Sequence, residues 1–399
     1  MERSKQSLLE ASFYTSGRPF TTKLLFKLWG SRPDHIVIGQ QIFLIVSWLL
    51  LSVSLGSLTG WTVLRLISVC VLPLSVLWWN IFGWTFVMLS EAVSFAFFAL
   101  WFASLIFFIR TPSRLTVLLQ VIIAFFFSFT RDNVPFALVI YTILLVFFLR
   151  IGCQRFYQKH RSLLTTLILA VFVIFSLQSW SIQKGQRHQF CLVNVILQRI
   201  LPHNDYTQWF IERGMPSDGD ILSRRGTWAS SDDNLLYRDP RYARFMHWVS
   251  TKGPFVYGLF LLTHLRYTFS PLTSQLAVMF SYNLDHYTLQ PPPLLGLRIL
   301  QMLLPMTSLP AAVVLTCFAV FLFVRFGRIE GAAIAALFIM VFFNALLIYH
   351  ADAMEVPRHS IMNMIMLEWC TWACFLVIAD TLYQISRHFE YHKTDAFAV

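Results

Sequence analysis

The residues able to do chemistry in this chain fall into a few polar islands within long apolar runs. The first is Ser128-Phe129-Thr130-Arg131-Asp132-Asn133, which puts a charged pair between apolar runs at 115–130 and 134–149. A charge at the centre of a bilayer costs about 2.5–3.5 kcal/mol. Such a pair therefore sits at a solvated turn, faces a cavity or marks a site. A second island is Ser90-Glu91, near the start of another apolar run. A third is Asp352-x-x-Glu355-x-x-Arg358-His359, whose spacing puts two carboxylates and then two cationic groups along one helical face. Glu10, Arg18 and Arg199 are isolated charges beside aromatic or apolar segments. The chemistry open to these types is proton transfer by a carboxylate and neutralisation of an anion by guanidinium and imidazole. Each also has a structural use. Glu91 suits a helix start, where the macrodipole favours an acid. The 352–359 group suits an ion-pair ladder, and Arg199 suits an anchor for the segment around it.

The elements that must position them are membrane helices. The chain is 57% hydrophobic and 13% charged with 39 Phe, against about a quarter charged in a soluble domain. Repeated apolar runs separated by short polar breaks give an all-α, polytopic integral membrane bundle. About nine spans are expected, at 36–58, 63–79, 84–109, 115–130, 134–149, 163–181, 310–324, 331–349 and 361–382. One long polar region, 182–253, carries turn signals and aromatic anchors, and is expected to form an extracytoplasmic loop subdomain. It divides the chain into a transmembrane region at 1–181, the loop at 182–253 and a second transmembrane region at 254–399. Two further apolar pieces, 255–265 and 294–304, are too short to span. The six cysteines show neither a CxxC pair nor metal-ligand spacing, although the acids and His359 permit a divalent cation.

The net charge of +11 fits basic residues flanking the spans and contact with anionic membrane lipids. With no soluble basic module, nucleic acid is not an expected partner. The basic segments 150–161, 325–328 and 387–393 are placed in the cytoplasm. Alternation then puts Glu91, Arg131, Asp132 and the long loop on the extracytoplasmic face. The same count leaves Met1 outside without a signal sequence. We therefore expect either a span upstream of Met1 or a re-entrant N-terminal helix.

Several of these islands resemble elements of GT-C-type membrane glycosyltransferases. Phe13-Tyr-Thr-Ser-Gly-Arg-Pro-Phe20 resembles the Arg-Pro-Pro-like end of the first external loop, with Phe20 in place of the second proline. Leu89-Ser-Glu-Ala-Val93 resembles the Ser-Glu motif opening a later helix. Arg131-Asp132-Asn133 resembles a hairpin tip of an uncharacterised bacterial branch. Asn194-Val-x-x-Gln198-Arg199-Ile-Leu-Pro202, Arg213-Gly-Met-Pro216 and the 352–359 group resemble further elements of that branch. The resemblance implies transfer of a sugar from a polyprenyl-phosphate carrier to a cell-envelope glycan or lipid acceptor, at the outer face of a bacterial inner membrane. No nucleotide-binding GxGxxG element is present or needed. It further implies a carboxylate base, with Asp132, Glu91 and Glu10 as candidates. Arg131, Arg358, His359 and Arg18 are candidate phosphate ligands, and Arg199, Asp352 and Glu355 candidate substrate contacts. The rival expectations are a lipid-linked-sugar flippase, which would show charges at the bilayer midplane, and a non-catalytic, truncated membrane protein.

Overall fold

The computed structural model describes residues 10–15, 19–30, 32–280, 308–326, 328–354 and 356–396. Arg18, Glu355 and the apolar stretch 294–304 lie outside the described residues, which are helical and contain no strand.

Two short helices, α1 (Ala11–Thr15) and α2 (Phe20–Leu28), precede the first long one, α3 (Pro33–Gly56). Pro33 opens α3 and Asp34 occupies its first turn, which suits a helix start because Pro has no N–H to leave unpaired and an acid meets the positive end of the dipole. Next come α4 (Thr62–Cys70), a 3-10 turn at Leu72–Leu77 and α5 (Trp79–Phe82) with a second 3-10 turn at Gly83–Phe86. Thr62–Leu77 and Trp79–Phe86 form one apolar stretch bent by 61°. The expected spans at 63–79 and 84–109 are thus redrawn: the first breaks at Trp78, and the second starts at Glu91. A broken helix leaves carbonyls without partners, which is costly in hydrocarbon. At the passage from the second 3-10 turn to α6, buried Gln40 meets this need by donating Nε2 to Thr85 O (3.0 Å) and Val87 O (3.3 Å).

The centre of the bundle is α6 (Glu91–Arg110), of whose apolar window 89% is buried, packed between α3 and α7 (Arg114–Ser128). A reciprocal Ser113–Thr116 capping box starts α7. The hairpin tip at 129–133 leads to α8 (Val134–Gly152), followed by α9 (Gln154–Lys184), which is bent at His160. The basic segment 150–161 is therefore helical on both sides of a break at Cys153.

At the other end of α9, Gln186 adopts a left-handed conformation (φ 52°) and turns the chain into α10 (Arg187–Val195) and a π turn at Ile196–Ile200. The polar region continues as α11 (Asn204–Ile211), α12 (Gly219–Leu222), α13 (Ser231–Arg238), α14 (Ala243–Thr251), α15 (Gly253–Thr263), α16 (Leu265–Phe269), α17 (Pro271–Ser274) and α18 (Leu276–Met279). Buried Leu197, Phe210, Phe245, Trp248 and Phe260 form a second apolar cluster there, distinct from the bundle core. The chain closes with α19 (Leu309–Phe326), α20 (Ile329–Ala351) and α21 (Val356–Ala396), which pack on one another, with α20 also against α8.

Six of these helices are long and apolar enough to cross a bilayer, or seven if the bent pair is one span. The protein is a multi-pass helical membrane protein. The expected total of nine includes α7 and the Leu309–Arg325 part of α19, both of which are shorter.

Candidate functional site

The hairpin between α7 and α8 sends three consecutive side chains in three different directions. Arg131 reaches α6 and α21. Its Nη2 lies 3.8 Å from Glu91 Oε1 and contacts His359 Nδ1. Asp132 turns the other way and accepts from Arg187 Nε (3.0 Å) and Nη2 (3.0 Å) and from Gln178 Nε2 (3.1 Å). Asn133 donates to Asn344 Oδ1 (2.9 Å), and Asn344 donates in turn to Asn363 Oδ1 (2.6 Å). The adjacent Arg131 and Asp132 therefore do not form the solvated pair that their sequence position invites.

Glu91 is the hub. It stands in the first turn of α6 with 0% side-chain exposure, and Arg131 beside it is 5% exposed. Arg358, in the first turn of α21, donates Nε to Glu91 Oε1 at 2.6 Å. Two guanidiniums thus converge on one buried carboxylate oxygen. The other oxygen, Oε2, is buried with no hydrogen-bond partner among the described residues. A guanidinium can only donate, so His359 Nδ1 must accept from Arg131. The imidazole proton then sits on Nε2, which faces Asp352 Oδ2 at 3.8 Å. Cys191 Sγ donates to the same oxygen at 3.7 Å. The result is a continuous line from Glu91 through Arg131, His359 and Asp352 to Cys191.

Asp352 does not share a helical face with Arg358 and His359. It lies in the extended break after α20 (φ −144°, ψ 139°), with Oδ1 accepting from Met354 N at 2.9 Å. The break, not helical spacing, swings its carboxylate toward His359. Burial raises its pKa, and the bonds from Met354 N and Cys191 oppose this only in part. Because the folded-state pKa is raised, proton binding favours the fold at low pH, and that gain is lost as pH rises through the raised value. Asp352→Asn removes the buried charge. It is expected to raise the thermal midpoint relative to wild type at pH 7.5, with the gap closing as pH falls toward 4. A gap that is constant across this range would mean that Asp352 carries no such cost.

The other candidates lie apart from the hub. Asp132 is 39% exposed and holds the hairpin to Arg187, whose Nη1 also reaches Ser181 Oγ at 3.3 Å. Ser181 Oγ donates to Tyr14 O at 2.8 Å, which draws α1, and exposed Glu10 just before it, to this side. A charge-assisted network of this kind, discounted for Asp132's exposure, is worth about 1–2 kcal/mol. A double-mutant cycle of Asp132→Asn with Arg187→Gln should return a coupling of that size. Strictly additive losses would remove the anchor role. Arg199, on the π turn, stacks 3.8 Å from the Tyr349 ring centroid and donates to Tyr349 O, clamping the polar region to the end of α20.

Arg187, Cys191, Asn344 and Asn363 were not singled out from the sequence. Arg187 and Cys191 are one helical turn apart on α10, a spacing that could have marked a shared face. Among the described residues no group of three or more His, Cys, Asp or Glu is placed to hold a metal ion. No protein-family model, characterised protein or solved structure matches the chain.

Proposed function

We propose that this protein is a membrane glycosyltransferase that moves a sugar from a polyprenyl-phosphate donor to an acceptor hydroxyl at the extracytoplasmic face. One observation carries the proposal: Arg131, Arg358 and His359 converge with buried Glu91 at the end of the bundle where the polar region docks. Phosphate departing from an anomeric carbon needs its charge neutralised, and two guanidiniums with a neighbouring imidazole suit that task. The acceptor hydroxyl must lose a proton as it attacks. Glu91 Oε2, which has no protein donor among the described residues, is assigned as its acceptor. In the balanced step the acceptor oxygen bonds to the anomeric carbon, the sugar–phosphate bond breaks, the proton passes to Glu91 and the phosphate leaves against Arg131 and Arg358. Asp132 is assigned as an anchor of the hairpin and Arg199 as an anchor of the polar region. The flippase alternative receives less support, because the charged hub lies at a helix end; Glu368, buried within a span and accepting from Trp372 Nε1 at 2.9 Å, is the observation on its side.

Basic residues support the sidedness. Arg110, Arg114, Arg150, Arg155, Lys159, Arg161, Arg325 and Arg328 gather at the ends of the helices opposite the hub, the arrangement of a cytoplasmic face. Cys153 is buried, so engineered thiols report better than the native ones. In intact cells Asp218→Cys is expected to react with a membrane-impermeant maleimide and Lys159→Cys is not, both positions being exposed. Reversed labelling would put the hub in the cytoplasm and end the outer-leaflet donor. Transfer itself is measured in proteoliposomes with a labelled polyprenyl-phosphate sugar.

A further inference from the structure

The short helices α15 and α16 have two apolar faces, of which the polar region's own cluster uses one. Val256, Tyr257 and Phe260 of α15 are buried in that cluster. Phe255 and Leu262, two turns apart on the opposite side, are 76% and 74% exposed, and Leu265 and Phe269 on α16 are exposed as well. An apolar face of this size turned to water costs free energy without return.

Its height along the bundle is fixed by three contacts with α20. Tyr257 OH donates to His350 O at 2.9 Å, and His350 Nε2 donates to Thr268 O at 2.8 Å. Both bonds lie at the last turn of α20, where that span ends. Farther along the chain, Phe280 meets Phe342 with ring centroids 5.1 Å apart. Phe342 lies about 12 Å below His350 at 1.5 Å per residue, so residues 268–280 descend beside α20 into the depth of the bilayer. Phe343, on the same part of α20, is exposed where a span meets lipid. The exposed face of α15 and α16 thus stands at the end of a span that turns Phe343 outward. Lys252 and Arg266, both exposed, flank it with positive charge. At 11 residues α15 is about 16 Å long, too short to cross a hydrocarbon core of about 30 Å.

We infer that α15 and α16 lie in the membrane interface on the hub side, with Phe255, Leu262, Leu265 and Phe269 inserted among the lipid chains and Lys252 and Arg266 at the phosphates. An apolar stripe bordered by cations has the character of an interfacial helix, which buries its side chains to about 5–10 Å. The polar region then rests on the leaflet through this face as well as on the spans. The inference depends on the multi-pass membrane reading and is independent of sugar transfer.

The test places benzoylphenylalanine at position 255 and, separately, at 262, in the full-length protein in vesicles of phosphatidylethanolamine and phosphatidylglycerol. Position 343 serves as the lipid-facing reference and 212, exposed on the polar region, as the aqueous one. Illumination is expected to give phospholipid adducts at 255 and 262 in yields near that at 343, and at least about fivefold above that at 212. Two results would overturn the inference. One is adducts chiefly to residues 281–307 or to a second copy of the chain. The other is lipid yields at both positions no higher than at 212. The two sites guard against one variant failing to fold.

Discussion

Glu91→Gln is expected to lower sugar transfer by about 10²-fold or more while leaving the shape of the side chain in place. The substitution removes the proposed proton acceptor together with the charge that holds Arg358 Nε at 2.6 Å and faces Arg131 at 3.8 Å. Removing one partner of a buried ion pair costs about 3–5 kcal/mol, because the remaining charge is left uncompensated. With two guanidiniums on one carboxylate and Arg358 still 17% exposed, the lower end of that range is expected. Loss of fold and loss of chemistry must therefore be separated. Glu91→Gln combined with Arg358→Gln should recover part of the thermal stability, since it removes one of the two charges that faced the carboxylate, but it should not recover transfer. A folded Glu91→Gln protein with near-normal transfer would sink the assignment of the base. A wild-type protein inactive with every polyprenyl-phosphate sugar would sink the reaction class instead.

The largest effect on stability alone is expected at the opposite end. Asp380, in α21, is 1% exposed and gathers donors from two other parts of the chain and from its own helix. Its Oδ1 accepts from Gly60 N (2.7 Å) and Thr59 Oγ1 (3.0 Å). Its Oδ2 accepts from Gln384 Nε2 (2.8 Å) and Arg328 Nη1 (3.4 Å). One carboxylate thereby fastens the α3–α4 turn and the start of α20 to α21. Asp380→Ala leaves a backbone N–H and a hydroxyl without their acceptor, while Arg328 keeps Glu330 (Nε to Oε2, 3.3 Å), and should cost about 2–4 kcal/mol. Asp380→Asn keeps one acceptor and should fall between this variant and wild type. Thermal midpoints in nanodiscs decide the matter. An alanine variant within about 0.5 kcal/mol of wild type would reduce the network to surface decoration.

Composition alone made the class legible, because a chain with so few charges and such long apolar runs has no other way to satisfy its backbone. Glu91, Arg131, Arg358 and His359 were also legible as chemistry, since a charge next to a span needs a reason. Their pairing was not. Neighbours in sequence at a tight turn point in different directions, so Arg131 and Asp132 parted, and Asp132 found Arg187 on a helix 55 residues farther on. The Asp352–His359 spacing looked helical, but an extended residue at Asp352 breaks the periodicity, and no propensity in the stretch announces it. Trp78 likewise ends a run that hydropathy reads as continuous. The carbonyls freed farther along, at Thr85 and Val87, are met by Gln40 on another helix, which no local window includes.

The length of α7 has a consequence for the membrane around it. Its 15 residues reach only about 22 Å, against a hydrocarbon thickness of about 30 Å. Its outer side carries exposed Leu115, Leu118, Leu119 and Ile122, so lipid must meet it directly. Hydrophobic mismatch of this sign is relieved by thinning the bilayer locally, at fractions of a kcal/mol per Å. These residues lie in the half of α7 next to Arg114, so the dimple forms at the end opposite the tip that holds Arg131, whereas α6 at the centre is shielded by protein and imposes no thickness of its own. Headgroups on that side are drawn in toward the bundle, where exposed Arg110 and Arg114 stand to meet their phosphates.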